Sequence, residues 1–210
     1  MLKLLHYLEK TLADIQSFLV KFRIHSRLKK SKGTSSPESQ QLEVYWKETF
    51  KDELVFWGED TVWKEIEYLF CIAKGTAVDM CCGIGSTMHR LDKYLDLEVY
   101  GFDISDFLIK EAIKSGIDAE KLKVADATNT GYEDNFFEFS YSIGSLEHFT
   151  EEGINSFLKE AKRITTQASF HQIPVARDAK FNGWLELDQS YFNMPVSWWL
   201  TKFEKHFEEV

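Results

Sequence analysis

The chain has little cysteine and no long apolar run. Its 210 residues include three cysteines, Cys71, Cys81 and Cys82, which is too few for a disulfide framework and indicates reduced thiols. No Cys-x-x-Cys pair is present and no histidine has a matching spacing, so we expect no bound metal. No apolar run approaches the roughly 20 residues that span a bilayer, and the N-terminus mixes apolar and charged residues where a signal peptide would be uniformly apolar. We therefore expect a cytoplasmic protein.

Basic residues are also scarce over most of the chain, whose formal net charge is −9. Residues 1–32 carry eight Lys or Arg against two acids, a net of +6, so the remainder carries −15. Because the phosphates of nucleic acids require a basic surface, we expect no nucleic-acid partner. Apolar residues still make up 44% of the sequence and include 17 Phe, enough for the core of one domain.

Three segments can be distinguished along the chain. Residues 1–30 repeat apolar residues at three- and four-residue spacing, which predicts a basic amphipathic helix. That helix either packs on its own domain or a second copy, giving a homodimer, or lies on an anionic membrane surface. Residues 31–41 are rich in Ser, Gly and Pro and predict a flexible linker. Residues 42–210 are predicted to form one α/β domain.

The most informative segment of that domain is Ala77–Ser86. It is a short apolar strand with an acid, Asp79, followed at once by the turn Gly83-Ile84-Gly85 and a predicted helix over Thr87–Tyr94. A strand that leads into a Gly-rich turn at the start of a helix is how doubly wound α/β folds bind a nucleotide. Glycine also ends strands for steric reasons, so this turn alone is weak support.

The next two predicted strands strengthen the interpretation. Glu98–Asp103 puts the carboxylate of Asp103 at a strand end, 18 residues after Gly85, where it can accept both ribose hydroxyls of an adenosine. Leu122–Ala125 is followed by Asp126, which suits an adenine amino group. Since parallel strands end at the same sheet edge, we expect a nucleotide site there.

A fourth predicted strand, Phe137–Ile143, runs into Gly144–Phe149, and a fifth covers Ala168–Pro174. Dinucleotide dehydrogenases share part of this pattern, but their fingerprint needs a small residue three positions after the second Gly. Met88 stands there, and a Glu147-His148 pair is not a dehydrogenase signature. An NAD-binding oxidoreductase is therefore the less favoured interpretation.

Over most of the chain beyond residue 40, the sequence resembles the class I S-adenosylmethionine-dependent methyltransferases. Their first motif, apolar-Asp-apolar-Gly-Cys-Gly-x-Gly, corresponds to residues 78–85, with Cys81 where the first Gly is usual. Asp103 and Asp126 match the family's acids after the second and third strands, and Ser145–Phe149 matches its segment after the fourth. The substitution of Cys81 for glycine departs from the pattern and puts cofactor affinity in question.

The resemblance implies a Rossmann-like methyltransferase fold, with a mostly parallel sheet, helices on both faces and an N-terminal helical extension. The family's sheet continues with strands six and seven, which are missing from this sequence, so either domain 42–210 is truncated at its C-terminus or its sheet ends at strand five. The implied cofactor is S-adenosyl-L-methionine. The residues implied to bind it are Asp79, Cys81, Gly83, Gly85, Asp103, Ile104, Asp126, Ala127, Ser142 and Gly144.

For the methyl acceptor, two histidines near strand ends are candidate general bases, because imidazole accepts a proton near neutral pH. They are His148 and His171; for His148 a structural role is as well supported, and His171 also fits a core histidine with satisfied hydrogen bonds. The predicted acceptor-site residues are Tyr45, Trp46, Glu147, Arg177 and Trp184. The aromatic pair could equally be core, and Glu147 could equally position the following helix.

A narrower resemblance covers Phe170–Pro174, Gly183-Trp184 and Tyr191–Asn193. These segments are similar to bacterial methyltransferases of surface-polysaccharide synthesis. This implies O-methylation of a small or nucleotide-linked acceptor, such as a sugar or a phosphoramidate. The alternative is a catalytically impaired cofactor-binding remnant that acts as an interaction protein.

Overall fold

A computed structural model of the chain describes residues 39–56, 62–93, 96–176 and 182–210. The predicted N-terminal helix and nearly all of the predicted linker lie outside the described residues, and the predicted boundaries near residues 30 and 42 stay predictions. Within the described ranges, no helix is long and apolar enough to cross a bilayer.

The elements alternate between strand and helix. The strands are β1 Gly75–Met80, β2 Leu97–Asp103, β3 Leu122–Val124, β4 Phe137–Ile143, β5 Thr165–Gln172, β6 Gly183–Leu185 and β7 Tyr191–Asn193. The α-helices are α1 Glu48–Phe56, α2 Val62–Phe70, α3 Ser86–Leu91, α4 Asp106–Lys114, α5 Glu151–Ile164 and α6 Val196–Phe203. Short 3-10 turns cover Leu42–Trp46, Ala119–Lys121 and Leu146–His148.

Five strands form one parallel sheet in the order β3-β2-β1-β4-β5. The central strand β1 is buried from Ala77 to Met80, as expected for a parallel strand with helices on both faces. Ala77 packs with α2, α3 and α4 in one core cluster, whereas Val78 packs with α5 and α6 in the other. The predicted α/β class, with helices on both faces of a mostly parallel sheet, is thus confirmed.

The segment after β5 differs most from the prediction. The sequence predicts no strand after Pro174, but β6 and β7 pair there as a separate antiparallel hairpin. No further strand joins the main sheet within the described ranges. The fifth strand, predicted over Ala168–Pro174, is observed over Thr165–Gln172 as β5.

A glycine on β2 explains how the large Met88 fits at the position where the dinucleotide-binding fingerprint has a small residue. A Cβ on Gly101 would lie 2.5 Å from the Met88 sulfur and 3.0 Å from Cys82 Sγ. Because the strand leaves this space, helix α3 packs closely on the sheet with Met88 buried. Close packing at the first turn is therefore achieved from the neighbouring strand.

Candidate functional site

A cavity of about 310 Å³ opens at the carboxyl edge of the sheet. Its wall is built from the turns that follow β1, β2 and β4, from helix α1, and from the hairpin β6–β7. Eight of the residues predicted from the sequence to form a site line it: Tyr45, Asp79, Cys81, Gly83, Asp103, Gly144, Glu147 and His148. The structure thus brings together groups spread over more than a hundred positions of the chain.

The turn Cys81–Gly85 after β1 forms the floor of the cavity. Its backbone is left-handed at Cys81, Gly83 and Gly85, with φ of 68°, 55° and 77°. Glycine adopts such angles without steric cost, whereas a residue with a Cβ is strained there. Gly85 is the N-cap of α3 and does not line the cavity, so its part is to shape the turn.

Asp103, at the end of β2, ties this turn to the next one. Its Oδ2 accepts a hydrogen bond from the Gly83 amide at 3.0 Å, and its Oδ1 accepts one from the Ser105 amide at 2.9 Å. Each carboxylate oxygen keeps lone-pair capacity for a further donor. Burial raises the pKa of Asp103 to about 6, an effect that these backbone donors oppose, so the group is ionised near neutral pH.

Asp79 holds the start of helix α3. Its carboxylate accepts a hydrogen bond from the Thr87 hydroxyl, and the Tyr141 hydroxyl lies within 3.4 Å of Thr87 Oγ1. Burial raises the pKa of Asp79 to about 7, although the hydrogen bonds from Thr87 and Tyr141 lower it. Near neutral pH this carboxyl is therefore close to half protonated.

Glu147 and His148 lie side by side in the 3-10 turn after β4. The His148 ring is placed by Ser190, whose carbonyl lies 2.8 Å from Nδ1. A carbonyl only accepts, so Nδ1 carries the proton and Nε2 is left as an acceptor. Burial lowers the pKa of His148 to about 4, against the opposing effect of the Ser190 and Gly144 backbone groups, so the ring is neutral near pH 7.

The carboxyl of Glu147 has the opposite shift. It is buried, with 4% of its surface exposed, and burial raises its pKa to about 8. Its Oε1 lies 3.8 Å from His148 Nε2, which is too long for a hydrogen bond. The site therefore presents a neutral acid next to a neutral base.

The segment Gln40–Trp46, named here the strap, covers one side of the cavity. Ser105 Oγ donates to the Tyr45 carbonyl at 2.7 Å, and the Ser190 amide donates to Gln41 Oε1 at 3.0 Å. The strap is thereby fixed both to the turn after β2 and to the hairpin. Tyr45 lines the cavity, and burial raises the pKa of its hydroxyl to about 12.

Trp46 points to another part of the surface. It is 41% exposed, and its Nε1 donates to Asp106 Oδ1 at 2.9 Å. It does not line the cavity, so its contact holds the strap to helix α4.

Several other predicted residues lie outside the cavity wall. Asp126 is exposed, and its Oδ1 accepts hydrogen bonds from the Thr128 amide and hydroxyl at 2.8 Å and 2.7 Å. Ala127 is buried in the core, and Ile104 and Gly85 do not line the cavity. The predicted adenine and turn contacts of these residues stay predictions.

His171 and Ser142 form a pair in the sheet. Ser142 Oγ lies 2.9 Å from His171 Nδ1, and Ser169 Oγ lies 2.8 Å from Nε2. The ring packs between Phe157 and Phe203, and burial lowers its pKa to about 3. Both ring nitrogens have partners away from the cavity, as a core histidine would.

Two predicted acceptor-site residues remain. Trp184 is 5% exposed and packs edge-on against Phe192 in the core, so it supports the hairpin and does not line the cavity. Arg177 lies outside the described residues.

Sequence reasoning missed the hairpin's share of the wall. Gln189 and Tyr191 line the cavity, and the carbonyl of Ser190 orients His148. The length of the segment after β5 was the available signal. Three residues of helix α1, Phe50, Glu53 and Leu54, were also missed.

The cavity fits S-adenosylmethionine by its chemistry. In the described part of its wall the ionisable groups are carboxyls, one histidine, two tyrosines and two thiols, with no lysine or arginine. Carboxyls suit a cofactor that carries a sulfonium and an ammonium, and Asp103 offers free lone pairs for ribose hydroxyls. A Cβ on Gly83 would approach Leu54 Cδ1 to 3.1 Å, so the turn leaves space that a side chain would fill. No group of three or more residues that could hold a metal ion occurs in the described residues.

Comparison with known proteins agrees with this geometry. Residues 77–168, from β1 into β5, match the family described as a methyltransferase domain. No protein with a curated function matches the sequence. The structure resembles a protein from Pyrococcus horikoshii OT3 with a TM-score of 0.59 and 20% identity, covering 76% of this chain and 89% of that one.

Two further solved structures share the fold. One is phosphoethanolamine N-methyltransferase 2 of Haemonchus contortus, in complex with phosphomonomethylethanolamine and S-adenosylhomocysteine. Its TM-score is 0.57 at 18% identity, over 75% of this chain and 40% of that one. The other is the [4+2]-cyclase SpnF, with a TM-score of 0.56 at 15% identity, over 84% and 60% of the two chains. At these identities the likeness shows the fold alone.

Residues 77–168 therefore match a methyltransferase domain, and the described residues have a Rossmann-like methyltransferase fold. The domain match, with the fold, supports an S-adenosylmethionine-dependent methyltransferase.

Proposed function

We propose that this methyltransferase binds S-adenosyl-L-methionine in the cavity at the carboxyl edge and transfers the methyl group to an oxygen atom of a small or nucleotide-linked acceptor. The observation that carries the proposal is the Asp103 carboxylate, which holds the Gly83 turn and keeps acceptor capacity inside the cavity. When bound, the cofactor supplies a methyl group already activated on a sulfonium, so the protein's part is to bind, orient and remove a proton.

Binding of the cofactor would rest on the turn after β1 and on Asp103. The left-handed backbone at Gly83 opens the floor of the cavity, and the Asp103 carboxylate would accept the ribose hydroxyls. Asp79 would keep the turn and helix α3 in place through Thr87. These roles follow from position in the wall and from the chemistry of each group.

Proton removal would fall to His148. Its Nδ1 proton is committed to the Ser190 carbonyl, so Nε2 can receive a proton from an acceptor hydroxyl. The low pKa keeps the base unprotonated near pH 7. It also makes His148 a weak base, which suits a reaction in which proton loss accompanies attack on an already activated methyl group.

The proposed acceptor is a sugar or a phosphoramidate in surface-polysaccharide synthesis. Its support is the similarity of Phe170–Pro174 and Tyr191–Asn193 to methyltransferases of that kind. The hairpin containing the second segment contributes Gln189 and Tyr191 to the cavity wall, where it would contact an acceptor.

A second candidate function is a catalytically impaired cofactor-binding protein that acts through interactions. The observation that favours it is Cys81, a side chain held at φ 68° where the resembling family has glycine. Its thiol lines the cavity and would occupy space beside the cofactor. Cofactor binding without turnover on any acceptor would favour this candidate.

The experiment that tests the proposed base compares His148→Ala with His171→Ala. We expect His148→Ala to lower turnover by about 10²–10⁴-fold while affinity for S-adenosylhomocysteine is unchanged. His171→Ala should act through stability, since its ring nitrogens face Ser142 and Ser169. Near-parental turnover of His148→Ala would show that no base operates at this position.

A further inference from the structure

Glu147 lines the cavity, and its carboxyl carries a buried oxygen atom that the described residues leave without a partner. The side chain is 4% exposed, and its Oε2 makes no hydrogen bond to any described residue. Buried polar atoms are nearly always hydrogen-bonded, so each exception requires an explanation. Two other buried atoms share this state, on Asn182 and Trp199, but neither residue lines the cavity. At Glu147 the missing partner can therefore be a ligand.

The proposed base, His148 Nε2, lies next to the Glu147 carboxyl. Glu147 Oε1 and His148 Nε2 are 3.8 Å apart without bonding to each other, and both residues line the cavity. The Tyr191 ring lies edge-on to the imidazole, with centroids 6.2 Å apart. Two polar groups held side by side in this way suit two polar groups on adjacent atoms of a ligand.

The charge of the wall limits what that ligand can be. Its described part contains the carboxyls of Glu53, Asp79, Asp103 and Glu147, and no lysine or arginine. A phosphate or carboxylate bound at this end would find no cationic partner in the described wall. Because burial raises the pKa of Glu147 to about 8, its neutral form both donates and accepts hydrogen bonds, as a hydroxyl does.

We propose that Glu147 selects the acceptor by hydrogen-bonding one hydroxyl of an uncharged vicinal diol, as in a neutral sugar, while His148 Nε2 faces the neighbouring hydroxyl that is methylated. The inference rests on the proposed function and narrows its acceptor to an uncharged group at this site. In the step, the hydroxyl oxygen bonds to the methyl carbon as the sulfur–carbon bond breaks with its electron pair remaining on sulfur. The hydroxyl proton passes to His148 Nε2, so the products are a methyl ether, a thioether and an imidazolium.

The test uses full-length protein, S-adenosylmethionine with a tritiated methyl group, and a panel of uncharged monosaccharides beside their uronic acids and sugar phosphates. We expect an uncharged member to be methylated, with kcat/KM at least about tenfold above its charged counterparts, since an unpaired buried charge is costly. Glu147→Leu, which removes the hydrogen bond, should raise KM for that sugar by about 5- to 150-fold.

Glu147→Gln is the conservative variant, because the amide retains both a donor and an acceptor. We expect it to keep KM within about threefold, since a hydrogen-bonded replacement avoids an unsatisfied group. Affinity for S-adenosylhomocysteine should be unchanged in both variants, and Glu98→Gln, on the exposed face of β2, is the matched control. A rescue by Gln and not by Leu separates acceptor binding from mere support of the turn.

Methylation of charged members as fast as uncharged ones would overturn the inference, as would a panel without any methylated member or an unchanged KM in Glu147→Leu. If Glu147→Leu does not fold, the ratio of uncharged to charged acceptors in the parent protein still decides. Failure of the parent protein to bind S-adenosylhomocysteine would instead refute the proposed function.

Discussion

The backbone of the turn after β1 predicts an unusual response to small substitutions at Cys81. Among the described residues, Cys81 and Asn135 are the non-glycine positions with positive φ. A left-handed backbone costs a residue with a Cβ about 1–2 kcal/mol. We therefore compare Cys81→Gly with Cys81→Ala, because both remove the sulfur and only Ala keeps the strained Cβ.

The magnitude follows from two opposing effects. Glycine relieves the strain, but it is disfavoured relative to alanine by about 0.4–1 kcal/mol through the greater freedom of its unfolded chain. The net expectation is that Cys81→Gly is more stable to unfolding than Cys81→Ala by about 1 kcal/mol. Urea denaturation with matched slopes measures this difference directly.

The neighbouring Cys82 supplies the control. It is buried and does not have a positive φ, so Cys82→Ala should be more stable than Cys82→Gly by about 0.4–1 kcal/mol. The order of the two variants is thus expected to reverse between adjacent positions. If alanine is the more stable replacement at both, the strain assigned to Cys81 is refuted.

Two further predictions concern pH and the N-terminal segment. The pKa of Glu147 is raised from 4.5 to about 8 in the folded protein. The stabilising contribution of the protonated carboxyl is therefore complete below pH 4.5 and is lost as the pH rises to 8. Between pH 5.5 and 7.5, the parent should lose about 2 kcal/mol of unfolding free energy relative to Glu147→Gln. If urea denaturation gives the two proteins the same change in unfolding free energy between these pH values, this prediction is wrong. Deleting residues 1–38 keeps Gln40 and Gln41 in contact with the folded domain. The truncated protein should bind S-adenosylhomocysteine within about threefold of the parent but differ in oligomeric state or vesicle binding. A truncated protein that folds but does not bind the cofactor would assign residues 1–38 to the site.

The fold followed from local patterns because the inner strands of the parallel sheet are short and largely buried, as β1 is from Ala77 to Met80. β4 was predicted at its observed bounds, Phe137–Ile143, since apolar and polar residues alternate along it as is typical of a strand. The polar residues at the carboxyl edge, such as Asp103 and Glu147, were likewise found from position alone. Local sequence patterns therefore indicate where each strand ends and at which edge of the sheet that end lies.

Contacts between segments that are far apart in the chain could not be predicted from local sequence patterns. The strap meets the hairpin through Gln41 and Ser190, 149 positions apart, and no local pattern encodes that pairing. For the same reason Trp184, predicted at the acceptor site, lies in the core, because an aromatic residue in a loop fits either place equally well. The orientation of His148 by the Ser190 carbonyl is a further consequence of the hairpin that the sequence alone does not reveal.

Asp103 is the residue through which the cavity at the carboxyl edge is proposed to bind S-adenosylmethionine. Isothermal titration calorimetry with S-adenosylhomocysteine tests it most directly, comparing the parent with Asp103→Ala and with Asp96→Ala, an exposed aspartate at the opposite end of β2 that pairs with Lys74 at 2.9 Å. We expect Asp103→Ala to weaken binding by about 5- to 150-fold, or about 1–3 kcal/mol, while Asp96→Ala binds like the parent. Equal affinity of Asp103→Ala and the parent, or tighter binding of a nicotinamide dinucleotide, would contradict the account.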